Sequence, residues 1–324
     1  MTHAVRVHGS GGPEVMRWEE VDVPEPDAGQ VRLRQTAVGL NFIDVYHRSG
    51  LYPIAAFPAV LGLEGAGGVE KVGSGVRGLA EGDRVAYASA PMGAYAEARV
   101  MPAERVVKLP AGVADDVAAA MMLKGLTAQF LLRRTYRVDA GDPIVIHAAA
   151  GGVGLLVCQW ARALGATVIG TVGSDAKAEI ARAHGCEHPI VTSREDFVAR
   201  VRDITGGAGA AVVYDSVGKD TFSGSLDCLR PMGMLVMFGQ SSGVVPTFDL
   251  ARLAKGSYFL TRPSLMVYTA KAEDYAAGAR ELFEVVERGQ VKIEIGQRYA
   301  LRDAAQAHRD LEGRKTTGST VLTI

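Results

Sequence analysis

The sequence predicts an α/β protein with a doubly wound parallel sheet in one domain and a smaller β-rich domain beside it. Three observations carry this reading. Up to about residue 110 the chain is a series of short β-branched runs broken by Gly, Pro and Asp. From residue 114 onward, long helical stretches alternate with short apolar runs, the pattern of βαβ crossovers and a parallel sheet covered on both faces. In "IVIHAAAGGVGLLVCQW" (144–160), a turn of small residues and glycines separates an apolar strand from a helix. A chain of 324 residues is also long for one core, which favours two domains.

The elements follow in order. "AVRVH", "VRLRQTAVGL", "GVEKVG", "DRVAYA", "AYAEARVMP" and "VVKLP" read as strands, with "NFIDVYHRSGLYP" (41–53) as a loop between them. "ADDVAAAMMLKGLTAQFLLRRTY" opens the helical part. Strand and helix then alternate: "PIVIHAA", "GVGLLVCQWARALG", "TVIGTVG", "DAKAEIARAHG", "HPIVTS", "REDFVARVRDITG", "AAVVYDSVG", "KDTFSGSLDCLRPMG", "MLVMFG". The tail adds the helix "AEDYAAGARELFEVVERG", then "KIEIGQRYAL", "DAAQAHRDLEGR" and the strand-like "STVLTI". This organisation gives a substrate domain over 1–125, a nucleotide-binding domain over 126–265, and a return to the first domain over 266–324. A cleft between domains is the expected place for a substrate.

Composition excludes several classes. Hydrophobic residues at 48% and charged residues at 22% describe an ordinary globular protein. The 35 basic and 36 acidic residues nearly cancel, without a run of one sign, so neither nucleic acid nor a membrane surface is an expected partner. No apolar segment has transmembrane length and the N-terminus lacks the apolar core of a signal peptide. Cys158, Cys186 and Cys228 are odd in number and far apart, which argues for a reduced, cytoplasmic protein.

The turn Ala149-x-Gly151-x-x-Gly154 is a dinucleotide fingerprint with alanine in place of its first glycine. A strand before it, a helix opening at it and a second β–α pair after it supply the context that the motif requires. Gly151, Gly152, Val153 and Gly154 then bring backbone N–H groups and the positive end of a helix to a pyrophosphate. At the tip of the second strand stand Gly173 and Ser174, with no acid before Asp175 and with Lys177 following. A carboxylate at the tip would repel a 2′-phosphate, whereas a hydroxyl and an ammonium accept it, so NADPH is favoured. The alternative is that Asp175 serves NAD and Lys177 is a solvated helix residue.

The chain resembles the zinc-free quinone oxidoreductases, the zeta-crystallin-like family of the medium-chain dehydrogenase/reductase superfamily. The matching stretches are "GGPEV" (11–15), "GLNFIDVYHRSGLYP" (39–53), "GLEGAGGVEKVGSGV" (62–76), "GDRVAY" (82–87), "KGLTAQFLLRRTY" (124–136), "HAAAGGVGLLVCQWARALGA" (147–166), "VVYDSVGKDTF" (212–222) and "TRPSL" (261–265). The resemblance runs essentially end to end. It implies a Rossmann-type NADPH-binding domain, a GroES-like catalytic domain and a homodimer joined through edge strands, with "MLVMFG" and "SYFLTRP" near that edge.

Zinc-bearing relatives place a cysteine and a histidine where this chain has Asn41 and Leu63, and neither is a reasonable zinc ligand. The four-cysteine structural lobe of those relatives is absent too, so no metal is expected. "HGCEH" (184–188) crowds two histidines and a cysteine together, but it falls where a helix gives way to a strand and reads as a polar surface turn. Without a metal there is no Lewis acid to polarise a simple carbonyl. A quinone needs none, because hydride transfer to it requires mainly positioning and exclusion of water.

The resemblance also assigns residues. Asn41, Tyr46 and Thr127 fall beside the nicotinamide and Tyr52 lines the substrate cleft. Phe42, Ile43, Asp44 and Gln129 contribute to cofactor binding. Ser174 and Lys177 hold the 2′-phosphate, and Ser216 approaches the adenosine side. Phe238, Gly239, Ser241 and Ser242 cradle the nicotinamide half, while Ser264, Leu265 and Arg314 close over the cofactor. Close relatives carry a tyrosine and a basic residue near 192–193; here Thr192 and Ser193 stand there with Arg194 one step later, so the expectation is either a weaker preference for NADPH or Arg194 serving in their place. His47 reads as an exposed loop histidine rather than a general acid, since water can supply the proton. The expected activity is NADPH-dependent quinone reduction. Reduction of a 2-alkenal or enone double bond is the neighbouring reading, and a non-enzymatic NADPH sensor or RNA-binding protein the distant one.

Overall fold

Alternation of apolar and polar residues near the N-terminus yields strands, as expected, in a structure that describes residues 2–324 as a computed structural model. Two units emerge: one runs to Leu126 and includes Ala270–Phe283 and Ile293–Ile324, and the other holds Thr127–Thr269 and Glu284–Lys292. In the first unit β1 (Thr2–Val7) lies between β2 (Met16–Val21) and β4 (Ala59–Val60), antiparallel to both. The long β3 (Gln30–Leu40) buries alternate side chains up to Gln35 and then both faces over 37–40. β5 (Glu64–Val72), β6 (Arg84–Ala88), β7 (Ala98–Pro102) and β8 (Val107–Lys108) complete its N-terminal strands.

Between β3 and β4 the structure corrects the expected loop. Residues Phe42–Ser49 form helix α1. Asn41 and Asp44 cap it reciprocally, each side chain taking the other's backbone N–H, and Gly50 ends it with φ 84°. The N-x-x-D signal was present in the sequence, but eight residues amid strands gave no helical period to read. Helix α2 (Asp115–Phe130) then carries the chain across Leu126 into the second unit.

The second unit alternates strictly: β9 (Pro143–Ile146), α3 (Gly152–Ala163), β10 (Thr167–Val172), α4 (Asp175–Ala183), β11 (His188–Val191), α5 (Phe197–Ile204), β12 (Ala210–Asp215), α6 (Phe222–Asp227) and β13 (Leu229–Met237). Short α7 (Ala251–Ala254), β14 (Phe259–Thr261) and α8 (Leu265–Tyr268) follow. The strands order β11-β10-β9-β12-β13-β14 and every pairing is parallel. Ile144, Val145 and Ile146 in β9 and all of β12 are buried, which is why these runs read as apolar throughout rather than alternating. The order turns back on itself between β9 and β12, so their carboxyl ends flank the crevice where open α/β sheets bind ligands. One helix is shorter than expected: α6 stops at Asp227 and the strand begins at Leu229, because Pro231 lacks an N–H for a helix and Met232 takes φ 59°.

The chain returns through α9 (Ala272–Glu287), β15 (Ile295–Ala300), α10 (Ala304–Glu312) and β16 (Ser319–Thr323). β16 inserts between β15, parallel to it, and β3, antiparallel to it, with Thr320 opposite Leu40 and Thr323 opposite Ala37. The larger sheet of the first unit is thus β15-β16-β3-β5-β6-β8, with β7 on β3. Its core gathers Val5, Leu33, Leu40, Leu61, Tyr95 and Leu322, while Val145, Ile169, Val213, Phe222 and Leu235 centre the core of the second unit. A Rossmann-type sheet and a β-rich GroES-like unit make the fold class as expected.

Candidate active site

The glycine turn leaves β9 at His147. Ala148 takes φ 56° and its carbonyl accepts from Gly151 N–H at 2.8 Å. A Cβ on Gly154 would stand 2.3 Å from that carbonyl oxygen, so only glycine lets the helix start this close to the strand. Ala149 is tolerated in place of the first glycine because Gly170 faces it; a Cβ there would sit 2.6 Å from that of Ala149. Gly151 caps α3 in an extended conformation, no side chain bonds the cap, and the first turn carries no acid. Such an end presents its N–H groups and its dipole to an anion, as a pyrophosphate requires.

Beside the turn, at the end of β10, Ser174 caps α4 by accepting from Lys177 N–H at 3.4 Å. Thr192 N–H bonds to Val172 C=O at 2.9 Å, which brings the residues after β11 alongside. Arg194 pairs there with Asp175 at 2.6 Å. Ser174 and Lys177, joined by the cap, and Arg194, through its ion pair with Asp175, therefore come together with Gly173 at one strand tip. Asp175, the acid that would serve NAD, is engaged by Arg194.

After β12, Phe238 N–H bonds to Asp215 C=O (2.9 Å), Ser241 N–H to Ser216 C=O (3.1 Å) and Ser242 N–H to Val217 C=O (2.8 Å). Ser216, Phe238, Gly239, Ser241 and Ser242 thus form one double turn at the carboxyl end of the sheet. Thr127 and Gln129 are buried near the end of α2, Ser264 caps α8, and Leu265 is buried at its start.

The remaining candidates belong to the first unit. Asn41 donates its amide to Glu64 Oε2 at 2.7 Å. Glu64, fully buried, also accepts from Leu123 N–H (2.8 Å) and from Lys124 Nζ (3.2 Å). Sequence reasoning missed Glu64 and Lys124; a lone charge in "AAAMMLKGLTAQFLL" was the signal for the latter. Leu63 is buried and apolar. The amide of Asn41 is thus committed to a carboxylate in a position that would need a thiolate to hold zinc.

Tyr46 and Tyr52 meet edge-on with ring centroids 5.2 Å apart, Phe42 lies 5.6 Å from Tyr46, and His47 lies 5.8 Å from Tyr52. The expectation of an exposed loop histidine fails at His47. It is a half-buried helical residue, its Nδ1 is buried without a partner, and burial pushes its pKa below the usual histidine value. Asp44 is buried and accepts from Asn41 N–H (2.9 Å) and Tyr95 OH (3.0 Å); burial raises its pKa to about 7. Arg314 follows α10 with φ 57°. In "HGCEH", Cys186 is buried, His184 bonds to Ile180 C=O and His188 pairs with Glu187. Among the described residues no group of three His, Cys, Asp or Glu side chains stands ready to hold a metal ion.

These two folds together are those of the medium-chain dehydrogenases/reductases. Residues 27–111 match the alcohol dehydrogenase GroES-like domain and residues 152–283 match the zinc-binding dehydrogenase model. The chain is 52% identical to a quinone oxidoreductase of Pseudomonas aeruginosa over 323 residues, 99% of each. It is 48% identical to a 2-haloacrylate reductase of a Burkholderia species, again over 99% of each. The crystal structure of Escherichia coli quinone oxidoreductase complexed with NADPH superposes with a TM-score of 0.98 at 45% identity, covering all of both chains. The chain belongs to the quinone oxidoreductase family of that superfamily.

Proposed function

We propose that this protein is an NADPH:quinone oxidoreductase that passes hydride from NADPH to a quinone without a metal ion. The observation that carries the reading is the strand tip where Ser174, Lys177 and Arg194 converge beside an uncapped helix end, a constellation for an adenosine 2′-phosphate and a pyrophosphate. NADPH supplies the hydride when bound. Gly151, Gly152, Val153 and Gly154 hold its pyrophosphate, Ser216 the adenosine side, and Phe238, Gly239, Ser241 and Ser242 the nicotinamide half; Ser264, Leu265 and Arg314 close over it. Asn41, Tyr46 and Thr127, with Phe42, Ile43, Asp44 and Gln129, position the nicotinamide.

Tyr46 and Tyr52 offer aromatic faces and edges to a flat acceptor. One quinone carbonyl oxygen gains the electron pair as hydride arrives, and a proton from water completes the hydroquinone. Residues up to 125 and from 266 form the substrate-binding domain in this scheme, and residues 126–265 the cofactor domain. The kinship with 2-haloacrylate reductase favours a second reading, hydride addition to an activated C=C bond.

We propose further that the protein is cytoplasmic and a homodimer. Cys158, Cys186 and Cys228 are buried free thiols, as in a reducing compartment, and no helix among the described residues is long and apolar enough to cross a membrane. At the edge of the six-stranded sheet, β14 exposes Phe259 (56%), with Met232 (71%) exposed on the neighbouring β13, which suits a second copy of the edge.

Oxidation of NADPH and NADH should be followed at about 340 nm, the nicotinamide band, with a benzoquinone, a 2-alkenal and a simple aldehyde, with and without chelator. NADPH-preferring, chelator-insensitive turnover of the quinone is expected. Turnover of the alkenal alone selects the second reading, and loss of activity on chelation overturns the metal-free scheme.

A further inference from the structure

Beneath the cofactor-facing turns of the second unit lies a chain of four buried polar side chains from three strand ends and a helix. Thr171 (β10), His147 (after β9), Ser225 (α6) and Asp215 (β12) are at most 4% exposed. Thr171 Oγ1 lies 2.8 Å from His147 Nδ1, His147 Nε2 lies 2.9 Å from Ser225 Oγ, and Ser225 Oγ donates to Asp215 Oδ2 at 2.8 Å. The proton positions follow from the inventory of donors. Asp215 can only accept, so the one hydroxyl proton of Ser225 goes to it. Ser225 then accepts from His147 Nε2–H. A neutral imidazole leaves Nδ1 as acceptor, and Thr171 supplies that proton. Burial keeps the ring neutral by lowering its pKa. Only one proton arrangement satisfies all four groups, and a satisfied buried network is stiff.

Three of the members are tied to segments that face the cofactor, and Ser225 links His147 to Asp215. His147 directly precedes Ala148, where the glycine turn begins with φ 56°, and Ala149 N–H bonds to Thr171 C=O at 3.0 Å. Thr171 stands two residues before Gly173. Asp215 Oδ1 accepts from Val217 N–H (2.8 Å) and Gly218 N–H (3.0 Å), which fixes Ser216 between Asp215 and Val217, and Thr221 Oγ1 bonds to the same carboxylate. The carbonyl of Asp215 holds Phe238.

We infer that Thr171, His147, Ser225 and Asp215 act as positioning residues that set the three cofactor-facing turns relative to one another, so that NADPH affinity depends on hydroxyls that never touch NADPH. This rests on the proposed seating of NADPH at the glycine turn. Removing one hydroxyl leaves a buried imidazole nitrogen unpaired and frees the turns to drift apart, which an extended ligand held at all three detects as lost affinity.

The test is calorimetric NADPH binding, with steady-state kinetics and the unfolding midpoint of the cofactor-free protein, for S225A, T171V and T171S. Valine matches threonine in shape but cannot donate, whereas serine keeps the hydroxyl. S225A and T171V are expected to raise the NADPH Kd and KM about tenfold, with kcat at saturating NADPH within about twofold, and T171S is expected to restore the affinity. If S225A fails to fold, the contrast between T171V and T171S decides alone. Lower unfolding midpoints with unchanged Kd, or a T171S as weak as T171V, would overturn the inference. K177A separates the two readings: weakened NADPH binding there with no effect of T171V rejects the positioning network alone, while a wild-type protein that binds no NADPH rejects both.

Discussion

At the scale of single residues, the side chains that hold α1 titrate in opposition. Arg48 Nη1 donates to His308 Nδ1 (3.2 Å), so the other ring nitrogen carries the proton and donates to Tyr95 OH (3.0 Å), which in turn donates to Asp44. Burial and the Arg48 charge lower the His308 pKa from 6.5 to about 3, and burial raises that of Asp44 from 3.8 to about 7. As pH falls through 6.5, unfolded His308 gains a proton that the folded ring refuses, so stability is lost. Asp44 acts the other way: the folded carboxyl gains its proton near 7, the unfolded one only near 3.8, so stability is gained over that window. Between about pH 4 and 6.5 the two effects offset. D44N removes the gain alone, and its unfolding midpoint should fall more steeply with acid than that of the wild type. H308Q, which keeps a donor and an acceptor for Tyr95 and Arg48, should fall less steeply. Thermal unfolding at pH 7.0, 6.0 and 5.0, roughly spanning the window, checks both; parallel profiles would reject the assignment. Little of this was legible beforehand. Asn41, Tyr46 and Lys177 sit in motifs, but Tyr95 and His308 lie 51 and 213 residues along the chain from their partners, and no local spacing records such contacts.

At the scale of elements, the strand–turn–helix around Gly154 was the most legible part, because its chemistry is local: a strand, a close backbone approach and an open helix end. Its dependence on glycine is testable. In G154A the added methyl meets Ala148 O at 2.3 Å and Ala149 backbone at 2.8 Å, so the turn must open. NADPH affinity is expected to fall by at least tenfold, on the order of 1.4 kcal/mol, while far-ultraviolet circular dichroism stays that of the wild type. Unchanged affinity in calorimetry would mean that the turn does not hold the pyrophosphate. α1 and α6 were the elements least well read. The first is set by a reciprocal cap rather than by periodicity, and the second is cut short by Pro231, a stop signal that the helical pattern around it masked.

For the whole molecule, the two-unit arrangement was visible in the switch from period two to alternating strand and helix. The pairing of the tail's strands was not, because a strand's neighbours are chosen by register across hundreds of residues. The proposed dimer belongs to this scale. Sedimentation of the wild type should give a species of twice the chain mass, and F259E with M232E should give the chain mass, since charges at an edge oppose pairing. A wild type that sediments at the chain mass would end the proposal. The placement of β16 bears on the order of events at the ribosome. The parallel sheet of the second unit has all its strands once residue 261 has been made. The first unit was begun earlier, yet β3, paired along Ala37–Gly39 with β5 on one side, lacks its second neighbour over Ala37–Leu40 until residue 323 is added. The half synthesised first is therefore completed last, and its open strand edge waits through most of translation as the segment most in need of a chaperone.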